Sequence, residues 1–173
     1  VCGLTLCVRA FTSPQESTIA LTPIFPPFRQ AAKFADRAQL NVPLQLKEQR
    51  WVLELEAQES QLNGTETLLM LCNPQNPGGT VYRREELAAQ LRFARRHDLI
   101  VCSDEIHCDL LLKPGAKHIP FASLSDDAAQ RSITLMSPSK TFNIAGLGAS
   151  VAIIPNRELR ERFSRERKGM VPD

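Results

Sequence analysis

The chain has 173 residues, 43% of them hydrophobic and 23% charged, with a formal net charge of +2 at neutral pH. That length and balance suit one domain with its own core, and so small a charge gives no reason to expect nucleic acid or an anionic membrane surface as partner. No apolar run reaches the roughly 18 residues of a spanning helix, and residues 1–7 have neither the basic flank nor the cleavage pattern of a signal peptide.

Residues 1–7 open inside an apolar helical pattern with no cap, and the chain closes on a Val-Pro-Asp turn, so it reads as the middle of something larger. Residues 19–21 form a short apolar run stopped by Thr22-Pro23. Pro26 and Pro27 suit the first turn of a helix over residues 28–36, because proline is tolerated there. Residues 42–46 and 51–55 alternate apolar and polar, the period of half-buried strands. Residues 67–72 (TLLMLC) are continuously apolar, as in a parallel strand covered on both faces.

Residues 84–97 place Leu87, Leu91 and Ala94 at helical spacing with charges opposite, which predicts an amphipathic helix. Residues 99–102, 132–136 and 149–154 are expected as a second, third and fourth buried strand. Asn156 can cap a last helix over residues 157–168, rich in Arg-Glu pairs and solvent-facing on most sides. Its acidic residues nearly balance its basic ones, which favours a solvated face over a nucleic-acid contact. The five cysteines are odd in number and lack CxxC spacing, and most sit inside apolar runs. They read as free, buried residues of a reduced, cytoplasmic protein.

Strands alternating with helices imply crossover connections, and so an α/β, three-layer fold with a mostly parallel sheet flanked by helices. In such sheets ligands bind beyond the carboxyl ends of the strands. The first buried strand is followed by Asn73-Pro74-Gln75-Asn76-Pro77-Gly78-Gly79, the second by Ser103-Asp104-Glu105-Ile106-His107, and the third by Ser137-Pro138-Ser139-Lys140-Thr141-Phe142-Asn143. Each has a plain structural reading: a surface lysine, a strand-end aspartate, an asparagine in a turn, a satisfied histidine. A metal reading of Cys102, Asp104, His107, Cys108, Asp109 and His118 fits no zinc spacing, and a strand splays alternate side chains to opposite faces.

The segments NPQNPGG, SDEIH and SPSKTFNIAGL, in this order and with TPIFPPF upstream, resemble the fold-type I pyridoxal-phosphate (PLP) enzymes of the class I/II aminotransferase superfamily. Asp-Glu-Ile-His and SKTFNIAGL are similar to the cystathionine β-lyase branch, the MalY/PatB-like C–S lyases. The resemblance implies a large, PLP-binding domain over residues 1–173, incomplete at both ends and without its C-terminal small domain. It implies that Lys140 carries the cofactor as a Schiff base and later acts as general base. It implies Asp104 on the pyridine nitrogen, Asn76 and His107 toward the 3′ oxygen, Phe25 stacked on the ring, and Ser137 on the phosphate. Asn76-Pro77 is a candidate cis peptide that aims Asn76.

Three features depart from that family. Gly78 stands where Thr is usual, and Gly148 stands where many relatives carry a phosphate-binding Arg. The chain is also short: the family's phosphate turn would precede Val1, and its substrate-carboxylate Arg would follow Asp173. The implied activity is β-elimination from a sulfur amino acid, by a protein that is a homodimer when intact. An aminotransferase and a non-catalytic regulatory or binding fragment are the alternatives.

Overall fold

In a computed structural model, residues 1–54 and 58–171 are described, together with the backbone but not the side chains of Glu56 and Ala57. The order is α1 (Cys2–Phe11), β1 (Ser17–Thr22), α2 (Pro26–Phe34), β2 (Ala38–Pro43), β3 (Gln45–Lys47), β4 (Arg50–Val52), β5 (Glu66–Cys72), α3 (Arg84–Arg96), β6 (Ile100–Asp104), α4 (Asp126–Gln130), β7 (Ser132–Met136), β8 (Val151–Ile153) and α5 (Arg157–Arg167), with short 3-10 turns between. Six strands form one sheet in the order β2-β1-β5-β6-β7-β8; β3 and β4 form a separate hairpin. Neighbours are parallel from β2 to β7, and β8 runs antiparallel to β7. The α/β, mostly parallel reading is therefore what the structure has.

β5 explains the two covering layers. Leu68, Met70 and Cys72 face one way, into a core shared with Leu4, Cys7 and Phe11 of α1, Phe28 of α2, and Leu159 and Phe163 of α5. Leu69 and Leu71 face the other way, against Leu87, Leu91 and Phe93 of α3 and Phe121. With both faces covered, the strand has no polar alternation to show, which is why its sequence is unbroken apolar. Burying each such leucine contributes about 1.5–3 kcal/mol.

Helix ends follow their local sequence. Asn156 Oδ1 accepts from the N–H groups of Glu158 and Leu159 at 2.9 and 3.2 Å, the expected cap of α5. At the start of α3 the Glu86 carboxylate accepts the Arg83 N–H at 2.6 Å, and Arg95 and Arg96 close its last turn, in keeping with the helix dipole. α5 holds the i,i+4 pair Arg157–Glu161, but Glu166 pairs with Arg9 of α1, and Leu159 and Phe163 are buried.

Three expected strands are redrawn. The run over residues 42–46 is divided: Val42 belongs to β2 at the sheet edge, and Gln45 and Leu46 belong to the hairpin. Of residues 51–55 only Trp51 and Val52 are in β4, and Leu55 lies outside the described residues, as do Pro172 and Asp173 of the terminal turn. The fourth buried strand is neither long nor buried. β8 covers three residues, all exposed, at the edge of the sheet. Its apolar sequence matches a buried strand, but no element described here covers it.

Candidate active site

Because β1, β5, β6 and β7 are parallel, their carboxyl ends share one edge of the sheet, and register aligns them. Cys72 pairs with Asp104, and Asp104 with Leu135. The loops that leave those ends bring Phe25, Asn76, Asp104, His107, Ser137 and Lys140 to one cavity of about 820 Å³, which the first turn of α1 also lines. The structure thus gathers all six candidate residues. The crowd of metal-ligand types is dispersed instead. Cys102 is buried in the core, His118 bonds Glu105, and Asp109 bonds Thr141, and no metal-holding group of His, Cys, Asp or Glu occurs among the described residues.

Asp104 is the centre of the electrostatics. Its Oδ1 accepts the Ile106 N–H at 3.1 Å, and no Arg or Lys side chain pairs with it among the described residues. Burial pushes its carboxyl above the ordinary aspartate range, against the Ile106 N–H and neighbouring positive charge. His107, half-buried, is held below the usual imidazole range, chiefly by burial; Asp104 pulls it up and Lys140 pushes it further down. Cys72, also on the cavity, is pushed up to about 12 by burial and then by Asp104, so its thiol stays protonated and unreactive.

Lys140 is exposed, in a turn closed by Phe142 N–H to Pro138 O and Ile144 N–H to Ser139 O. Ser137 is engaged in that turn: its Oγ donates to Ala149 O at 2.6 Å and accepts the Ser139 N–H at 3.1 Å. Thr141 Oγ1 donates to Asp109 at 3.2 Å, joining the lysine turn to the loop that follows His107. Chemically, the cavity offers an amine, a half-buried carboxylate, an amide, an imidazole and an aromatic face.

Asn76 and Phe25 are coupled. The Phe25 N–H donates to Asn76 O at 3.0 Å, and the Asn76-Pro77 bond is cis, as are Thr22-Pro23 and Asn73-Pro74. Gln75, only 3% exposed, reaches across: its Nε2 donates to Pro23 O and its Oε1 accepts the Gly78 N–H at 2.6 Å. A Cβ on Gly78 would come closer than 3.0 Å to both Gln75 Oε1 and the Trp51 indole, so glycine is required there by packing. The Trp51 N–H also donates to Thr80 Oγ1 at 3.0 Å, seating the β3–β4 hairpin on the turn.

Behind Asp104, the buried Glu105 accepts from Ser103 Oγ and the Phe121 N–H, both at 2.9 Å, and lies 2.7 Å from His118 Nε2. Glu105 and Gln75 are the two residues that sequence reasoning passed over. Both lie inside the quoted motifs, but their partners are distant in sequence.

Residues 3–166 match the family described as aminotransferase class I and II. The chain is 44% identical to cystathionine beta-lyase PatB of Bacillus subtilis over 165 residues, which is 95% of this chain and 42% of that protein. The crystal structure of OvoB superposes with a TM-score of 0.97 at 70% identity, covering 99% of this chain and 45% of that one. Cystalysin from Treponema denticola, whose crystal structure contains a pyridoxal 5′-phosphate cofactor, superposes with a TM-score of 0.90 at 36% identity, covering 96% and 42%. The chain therefore spans less than half the length of these relatives.

Proposed function

The chain belongs to the aminotransferase class I and II family, and from that premise we propose that it is the cofactor-binding large domain of a PLP-dependent C–S β-lyase. The observation that carries this reading is Asp104: a half-buried, desolvated carboxylate with no Arg or Lys partner among the described residues, on the same cavity as Lys140 and Asn76. Such a carboxylate fits a protonated pyridine nitrogen, which would supply its missing counter-charge. The amine of Lys140, the amide of Asn76 and the ring of Phe25 complete a donor set that fits the rest of the cofactor.

PLP, when bound, supplies an electron sink for a carbanion at the substrate Cα. Lys140 would hold it covalently, and its Nζ, once free, would be the base for the substrate Cα proton. Asp104 would keep a proton on the ring nitrogen. Asn76 would hydrogen-bond the 3′ oxygen, Phe25 would stack on the ring, and the hydroxyls of Ser137 and Ser139 would serve the phosphate. His107, uncharged at neutral pH by its lowered pKa, offers one more hydrogen bond beside Asn76. A thiolate leaves from the substrate Cβ, and water converts the remainder to a keto acid and ammonia.

His107 in place of the tyrosine of most aminotransferases, with the likeness to cystathionine β-lyases, favours elimination over amino transfer. The whole protein in this reading is a cytoplasmic homodimer acting on a sulfur amino acid such as cystathionine. Free cysteines and exposed Phe142, Leu147 and Val151 support that setting.

Adding PLP to the chain is expected to give the visible absorbance of a lysine-bound cofactor. Lys140→Ala should abolish it and cut lyase turnover by at least about 10²–10⁴-fold. A folded chain that gives no such band overturns the cofactor reading. Turnover of cystathionine that depends strictly on an added keto acid and releases no pyruvate overturns the lyase assignment in favour of an aminotransferase.

A further inference from the structure

We propose that Gln75 is a positioning residue that sets Phe25 against Asn76, and that Gly78 is present because this clamp needs the space. The inference deepens the functional reading above, since it takes Phe25 and Asn76 as the ring-holding pair. Phe25 stands on the loop after β1, and Asn76 on the turn after β5. Two adjacent strand ends do not by themselves fix the distance between the side chains that follow them. Three hydrogen bonds do so here: Phe25 N–H to Asn76 O, Gln75 Nε2 to Pro23 O, and Gly78 N–H to Gln75 Oε1.

The carboxamide is the only side chain in that set. It uses its donor on one loop and its acceptor on the other, which neither a carboxylate nor an apolar isostere can do. Its own turn is closed by backbone, with the Gln75 N–H on Thr80 O and the Gly79 N–H on Gln75 O, both at 2.8 Å. The side chain is therefore left to span the two loops. Its amide oxygen and the Trp51 indole fill the volume that any side chain at position 78 would need. The Gly78 departure from the family's usual Thr is thus one half of a pair, whose other half is Gln75 with Trp51.

The test compares Gln75→Leu and Gln75→Glu with the parent chain. Glutamate keeps the acceptor for Gly78 and regains a donor for Pro23 O only when protonated. The first readout is hydrogen exchange at the Phe25 amide without cofactor, a bond that Gln75 does not itself make. Gln75→Leu is expected to speed it about tenfold at any pH. Gln75→Glu should speed it near pH 8 and recover toward about pH 5, as the buried glutamic acid takes its proton.

The second readout is the PLP dissociation constant, followed by quenching of Trp51, the only tryptophan. It should rise about tenfold in Gln75→Leu and recover in Gln75→Glu at acid pH. Ratios taken against Gln75→Leu at each pH cancel the titration of Asp104 and His107. Should Gln75→Leu fail to fold, Gly78→Ala, which displaces the carboxamide, is expected to give the same two changes. Unchanged Phe25 exchange in the variants overturns the clamp. Faster exchange with unchanged PLP affinity overturns its bearing on the cofactor. A parent chain that binds no PLP overturns the functional reading instead, while Phe25 exchange still decides the clamp.

Discussion

On one side of the cavity the Phe25 and Asn76 loops are stitched together by backbone and side-chain hydrogen bonds over a strand with no exposed residue. On the other side the segment that carries Lys140 is held by its own turn and by Thr141–Asp109, while Leu147 is 76% exposed and β8 lies open at the sheet edge. The groups proposed to orient a ring therefore sit on the more tightly bonded side. The proposed reactive amine, Lys140, sits beside exposed apolar surface.

The sharpest way to break the contrast is to damage each side equally. Leu71→Ala, under the Asn76 turn, is expected to cost about 2–5 kcal/mol in urea denaturation. Leu147→Ala should change stability by no more than about 0.5 kcal/mol. Equal losses would mean that the lysine side is as tightly built as the other.

Asp104→Asn separates the chemistry from the packing. It is expected to lower lyase turnover of the loaded enzyme about 10²-fold, by removing a preorganised charge. Without cofactor its effect on stability has the opposite sign. Burial raises the Asp104 pKa, so the folded chain holds that proton more tightly than the unfolded one. The stabilisation is complete below the ordinary carboxylate range and is lost as pH rises through it to the raised value. Parent and variant should coincide in acid and diverge toward neutrality, with the variant the more stable; thermal melts from pH 3 to 7 that stay parallel would remove Asp104 from its buried setting. The smallest effect is expected from Val151→Thr on the open edge. Stability should stay within about 0.5 kcal/mol, and a sedimentation run should show less self-association.

Lys140, Asp104, Asn76, His107 and Phe25 were legible because each follows an apolar strand closely, and a parallel sheet must bring such ends to one edge. The caps were legible for the same local reason: Asn156 acts on residues two and three positions away. Gln75 and Glu105 were not. Pro23 is 52 residues from Gln75, and Phe121 is 16 from Glu105, so their hydrogen bonds exist only once the loops have met. β8 misled in the opposite direction, because an apolar run states what a strand can bury and not whether anything lies against it.

The sequence by itself determined the central strands β5, β6 and β7, the longer helices and the set of polar residues at the strand ends, since periodicity and strand-end chemistry are properties of neighbours along the chain. It also pointed to Lys140 as the candidate amine. Only the tertiary structure decided that Asp104 is desolvated with no Arg or Lys partner among the described residues, that Gln75 bridges two loops, that Gly78 gives way to Trp51, and that the lysine side is open. Each of those depends on what packs across the sheet edge, and distances through space are set by packing that no local pattern encodes.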